Sequence, residues 1–388
     1  MKKVSSHPGK IISRSGGSVA EGVFLITGMT IGAGVLGIPY AIMQVGLKIG
    51  LLYVLGFGVL MVCLNLMISE TAENTPERFQ LAGLAGKYIG SWACTLLSFT
   101  IVLSSYGALL AYIVGEGEVL SLLIGGNPFW WSIAFWVVGS IIIWRGLSAA
   151  KKMQKFLSFL VILIITGLSL FLFRSVHVGN WLYTNTAQLL FPYGIILFAL
   201  HGSPAVIEAK ALLENDPKKL RKAVIIGSLI PIIVYVLFAA AVVGVLGTAT
   251  TPVATIALAA RFGNGVLFIS NLFALFAMAT SFVGLGIALK ESLLWDDHLS
   301  PVISSGLVFI VPIILFVAGL RNFISILNVV GALFIAFEVL IMILVYWRAK
   351  ARGVFGARPF SRFPAWFLTG AVCVLVIAGI VFSLLQNF

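Results

Sequence analysis

The chain has 388 residues, 60% of them hydrophobic and only 10% charged, with a mean hydropathy of +1.11. A water-soluble globular domain does not carry that balance, and apolar runs of about 20 residues recurring from end to end mark membrane-spanning helices, not the short alternating segments of a barrel. The net charge of +12 does not imply nucleic acid: its placement along the chain points to lipid headgroups.

A tail over 1–19 carries Lys2, Lys3, Lys10 and Arg14 and precedes the first apolar run, at about 20–45. That run is too long for a signal-peptide core and no small-residue cleavage site follows it, so it is read as retained. It contains "LITGMTIGAGVLGIPYAI", with Gly28, Gly32, Gly34, Gly37 and Pro39, the poorest helix formers, in mid-span. Further spans are expected at about 48–68, 92–116, 129–147 and 155–174. A second series runs over 189–211, 222–247, 264–290, 301–319 and 323–347, and an eleventh over 364–386. With the N-terminus in the cytoplasm, every Lys and Arg except Lys48, Arg174, Arg261 and Arg321 falls on an inside segment. That asymmetry fixes a multi-pass protein of the cell membrane, N-terminus cytoplasmic and C-terminus outside.

The loops are too short for a soluble domain. Cys63, Cys94 and Cys373 all lie in spans with no metal spacing. "GAGVLG" lacks the preceding strand and βαβ unit of a dinucleotide site. No enzyme chemistry, no cofactor and no nucleic-acid partner is therefore expected, and the oligomeric state is not legible.

The sixth span, "LLFPYGIILFALHGSPAVIEAKAL", is interrupted at His201–Pro204 at a depth similar to the break in the first. A repeat of five spans, an odd number, inverts its copy. The pattern therefore predicts an all-α membrane protein with 20–174 and 189–347 as inverted five-helix repeats, helices 1 and 6 broken, and 364–386 as an extra C-terminal helix. Paired interruptions in corresponding positions point to a transport site, because irregular backbone survives at membrane depth only where protein or a cavity surrounds it. Gly32, Ala33 and Gly34 leave helical geometry cheaply, and the half-helix after them offers N–H groups suited to a carboxylate. Pro204 frees the carbonyl of Leu200, so Phe198, Ala199 and Leu200 end a half-helix at its negative pole. Together the two ends complement a zwitterionic amino acid, against glycines that only pack helices closely and prolines that only kink them.

"GMTIGAGVLGIPYA", "LLAYIVGEG", "FALHGSPAVIE" and "ATSFVGLGIAL" resemble, in order and spacing, the amino acid/auxin permease family, including the bacterial tyrosine and tryptophan permeases, within the amino acid–polyamine–cation superfamily. The resemblance implies a LeuT-type fold with the substrate between breaks 1 and 6, walled by spans 3 and 8. The candidates for that site are Thr30, Gly32, Ala33 and Gly34 at the first break, Phe198, Ala199, Leu200 and His201 at the second, and Ser105 in span 3, with Ser104 and Tyr106 as alternatives to it. Glu116 and Glu118 stand where aromatic-amino-acid permeases tend to have small residues, which leaves the class of side chain open. In sodium-coupled relatives of the fold, paired hydroxyls of span 8 meet carbonyls of span 1. Here those would be Thr280 and Ser281 with Gly28, Ile31 and Ala277, against an ordinary back-bond of each hydroxyl to its own helix. Tyrosine-permease-like relatives keep similar hydroxyls, so the motif does not name the ion.

His201 and Glu338 are the proton-coupling candidates, each set against a structural hydrogen bond. Glu21 with Arg145 or the lysines at 151–155 is an inner-gate candidate, against solvated flanks. The expectation is a cation-coupled symporter, sodium or proton, importing a neutral amino acid, aromatic or not. An uncoupled facilitator or exchanger, and an amino-acid-sensing receptor, are the alternatives.

Overall fold

The computed structural model describes residues 17–77, 79–145, 147–213, 216–295, 299–355 and residue 370. Helices stand at the first ten expected spans. The first is a pair, α1 (Val19–Thr30) and α2 (Gly34–Val45), bent by 55° at the break. Then come α3 (Leu47–Glu73), a short α4 (Leu81–Tyr88), α5 (Ser91–Ile124), α6 (Pro128–Arg145) and α7 (Leu147–Leu172). The sixth span is again a pair, α8 (Pro192–Ala199) and α9 (Ser203–Leu212). It is followed by α10 (Pro217–Leu246), a short α11 (Ala254–Phe262), α12 (Asn264–Trp295) and α13 (Pro301–Val317). The tenth is α14 (Phe323–Val329) and α15 (Ala336–Ala351), joined by a π-helical turn, Val330–Ile335. Among the described residues, eight helices are long and apolar enough to cross a membrane, nine counting the bent pair as one, with α13 shorter. The expected eleventh span, Gly370 apart, lies outside the described residues, as does most of the tail.

Local sequence explains the ends of these helices. Ser18 and Glu21 close a capping box on α1, satisfying two of its orphan N–H groups. Glu21 thus has a capping role, and of its expected gate partners the side chains of 151–155 lie outside the described residues. Asp216 caps α10, and the bond from Lys219 N, followed by that from Lys218 N, holds its carboxyl below the usual carboxylate range. Large apolar side chains such as Leu52, Val59, Phe159 and Leu163 are exposed. For a helix in lipid, that surface is already in its preferred solvent.

Polar links knit spans 1, 2, 6 and 7 together. Thr27 Oγ1 donates to Gly227 O at 3.1 Å. Ser203 Oγ donates to Asn65 Oδ1 and Asn65 Nδ2 to Ser228 Oγ, both at 3.1 Å. Against this group α8 lies on the π turn so closely that a Cβ on Gly331 would stand 1.8 Å from Gly194 O; only glycine allows that approach.

Candidate functional site

Both breaks are three residues long, Ile31 to Ala33 and Leu200 to Gly202, and they meet. A Cβ on Gly34 would lie 2.5 Å from Ala199 Cα. Gly34 therefore serves close packing of the two half-helices. Where the helices stop, backbone groups need new partners. Gly32 N donates to Thr30 O and His201 N to Phe198 O. The most economical partner is Tyr235 in α10, which is fully buried. Its hydroxyl lies 3.0 Å from both Thr30 O and Ala199 O, so one phenol serves the carbonyl ends of both first half-helices. Sequence reasoning missed it, although a lone tyrosine in an apolar span must bond its hydroxyl somewhere.

Beside the breaks lies a cavity of about 40 Å³, lined by Met29, Thr30 and Gly32 from span 1; Ile101, Ser104, Ser105, Ala108 and Tyr112 from α5; Phe198, His201, Gly202, Pro204 and Ala205 from span 6; Leu285 from α12; and Val330, Ile335 and Glu338 from span 10. That volume holds a few waters at most, so an amino acid enters only as the walls move apart. Of the residues expected at a substrate site, Thr30, Gly32, Ser105, Phe198 and His201 line it. Ala33, Gly34, Ala199 and Leu200 are not among the residues that line it. The carbonyl end offered for an ammonium is also partly used: Phe198 O and Ala199 O already accept from His201 N and Tyr235 OH. Glu116 is fully buried and off the cavity, with neither carboxyl oxygen partnered.

The hydroxyls of span 8 divide. Ser281 Oγ lies 3.2 Å from Gly28 O and from Ile31 O, donating to the opened end of α1. Thr280 Oγ1 instead donates back to Phe276 O at 2.9 Å and Ala277 O at 3.0 Å. The structure thus brings Gly28, Ile31 and Ser281 together, with Thr280 and Ala277 bonded to each other along α12. Tyr112 OH and Ser281 Oγ flank Gly32, where a Cβ would come within 2.9 Å and 2.7 Å of them.

The two ionisable candidates form a pair. His201 Nε2 lies 2.8 Å from Glu338 Oε1, across 137 residues of sequence. Glu338 opens α15 directly after the π turn. Single-turn π segments inside α-helices recur at functional sites. His201 is 13% and Glu338 2% exposed in their side chains, and no Lys or Arg lines the cavity. Burying such a pair is costly unless its geometry satisfies both partners, and here Glu338 Oε2 meets no donor.

Comparison with known proteins gives three findings. The model of the tryptophan/tyrosine permease family matches residues 15–385. Tyrosine-specific transport system 1 of Haemophilus influenzae is 25% identical over 352 residues, covering 84% of this chain and 87% of its own. Glutamine transporter 2 of Aliivibrio fischeri is 26% identical over 82% of this chain and 85% of its own length, and the low affinity tryptophan permease of Proteus vulgaris 26% over 76% and 78%. The crystal structure of MhsT in complex with L-phenylalanine superposes with a TM-score of 0.72 at 15% identity, covering 96% of this chain and all of that one, which shows a LeuT-type fold.

Proposed function

The chain belongs to the tryptophan/tyrosine permease family, and from that premise we propose that it is a secondary active transporter importing a neutral amino acid with a cation. The observation that carries this is the cavity at the meeting of two helix breaks, with ionisable groups and broken backbone at one buried spot. The relatives' names span tyrosine, tryptophan and glutamine, and the substrate is proposed from that neutral class, aromatic or glutamine-like. The reading includes ten spans in two inverted five-helix repeats and an eleventh outside them, the N-terminus in the cytoplasm, anionic lipids around the basic loops, and no catalysis. Spans 1, 2, 6 and 7, already knit by polar links, move as a bundle against spans 3, 4, 8 and 9 to expose the cavity to each side in turn.

For the cation, the His201–Glu338 pair supports the proton. It can hold or release one charge beside the substrate, and it joins span 6 of the bundle to span 10 outside it. Sodium is the second reading, supported by Gly28 O, Ile31 O and Ser281 Oγ converging. Uptake into proteoliposomes tests both. An inward proton gradient is expected to drive accumulation of tyrosine, tryptophan or glutamine above equilibrium. Accumulation driven by sodium alone moves the site to Ser281. Counterflow with no gradient dependence makes it a facilitator, and binding without flux a receptor.

A further inference from the structure

The buried carboxyl of Glu338 is half used. Its residue is 1% exposed and lines the cavity. Oε1 is held by His201 Nε2, whereas Oε2 is buried with no donor. Leaving a carboxylate oxygen unmet in a dry interior costs more than an ordinary lost hydrogen bond, so the working cycle must bring it a donor. Two of the neighbouring hydroxyls are already engaged. Thr30 Oγ1 donates to Ile26 O and Ser104 Oγ to Ile101 O, so both hydroxyls present only lone pairs inward. At this wall of the cavity an N–H or O–H that enters with the substrate would meet an acceptor already in place.

We propose that Glu338 is a substrate-binding residue, its Oε2 accepting a hydrogen bond from an N–H or O–H group of the bound amino acid. The proposal rests on the transporter reading and deepens it. An amino acid carries two such donors, the α-ammonium and, in tyrosine, tryptophan or glutamine, a side-chain group. The ammonium has reason to come here, because Phe198 O and Ala199 O are already engaged and Ala199 and Leu200 lie off the cavity. One carboxyl then answers to His201 through one oxygen and to substrate through the other, so charge on the histidine and occupancy of the site are felt by the same group.

Glu338→Gln tests this in the full-length purified protein. Glutamine keeps the size and the bond to His201 but turns the second atom from acceptor into donor. Binding of tyrosine, phenylalanine, glutamine and methionine is measured alongside the melting temperature without ligand. If the ammonium is the donor, all four lose affinity alike, by roughly ten- to a hundred-fold, the worth of a hydrogen bond to a charged group. If a side-chain group is the donor, tyrosine and glutamine lose that much while phenylalanine and methionine do not. Affinities unchanged for every ligand, with an unchanged melting temperature, overturn the proposal. Should the variant not fold, the wild type answers alone. The desamino analogue of tyrosine is expected to bind at least ten-fold more weakly than tyrosine in the first case, and phenylalanine in the second. Equal binding of all three overturns it. Failure of the transporter reading is distinct, since the wild type would then bind or move no amino acid under any gradient.

Discussion

The two helix breaks pose the same problem and solve it differently. At Ile31 to Ala33 the opened backbone is met by neutral hydroxyls: Ser281 at Gly28 O and Ile31 O, with Tyr112 alongside. At Leu200 to Gly202 the side chain of the break itself is ionisable and reaches a buried acid on span 10. Neutral bonds at one break keep a constant charge through any movement. The other break carries a histidine paired with a glutamate, in a dielectric where a unit charge is strongly felt. On the transporter reading proposed above, the first break would serve as the hinge and main-chain end of the site, and the second as the end that senses ions. Tyr235 and the contact of Gly34 with Ala199 are what the two share.

The largest effect is expected where the breaks touch. Gly34→Ala puts a methyl 2.5 Å from the Cα and the Cβ of Ala199, a backbone clash that cannot be turned aside. It is expected to cost about 3 kcal/mol or more, the upper end for overpacking, read as loss of the folded fraction or a large fall in melting temperature. Adding Ala199→Gly removes only the Cβ half of the clash and should rescue part of the loss. Full tolerance of Gly34→Ala would mean that the breaks do not bear on each other.

Next comes the shared clasp. Tyr235→Phe keeps the ring and deletes the one hydroxyl that reaches Thr30 O and Ala199 O. Two buried carbonyls lose a donor, for about 1–3 kcal/mol. If Tyr235 sets both ends of the site, the variant also weakens amino acid binding, and a melting-temperature change with unaltered affinity would reduce it to a structural strut.

These comparisons also mark what could be read from the amino-acid order. Both breaks fall where the Gly32–Gly34 and His201–Pro204 stretches place them, because backbone chemistry is local: glycine lowers the cost of leaving the helix and proline removes a donor. His201 and Glu338 stand out singly because ionisable groups are rare in apolar spans. Their meeting is not legible, since it depends on how spans 6 and 10 pack, and the π turn just before Glu338, VGALFI, looks in sequence like any apolar helix. For the same reason Ala33, Gly34, Ala199 and Leu200 look like site residues in the sequence but pack away from the cavity: a break has an inner and an outer side, and only packing decides which is which.

The smallest effect separates the two adjacent hydroxyls of α12, and it bears most directly on the ion. Ser281 Oγ donates across to span 1, whereas Thr280 Oγ1 donates within its own helix. Ser281→Ala leaves Gly28 O and Ile31 O short of a donor and should cost about 1 kcal/mol. Thr280→Ala removes a back-bond that helices do without and should cost a few tenths. Under proton coupling, that ranking holds for stability and neither variant makes uptake depend on sodium. Under sodium coupling, both oxygens are ligands and the ranking must collapse: Thr280→Ala would weaken sodium-dependent uptake about as much as Ser281→Ala. The ratio of the two effects, measured in one uptake assay with and without sodium, therefore tells whether the neutral break is a hinge or a second ion site.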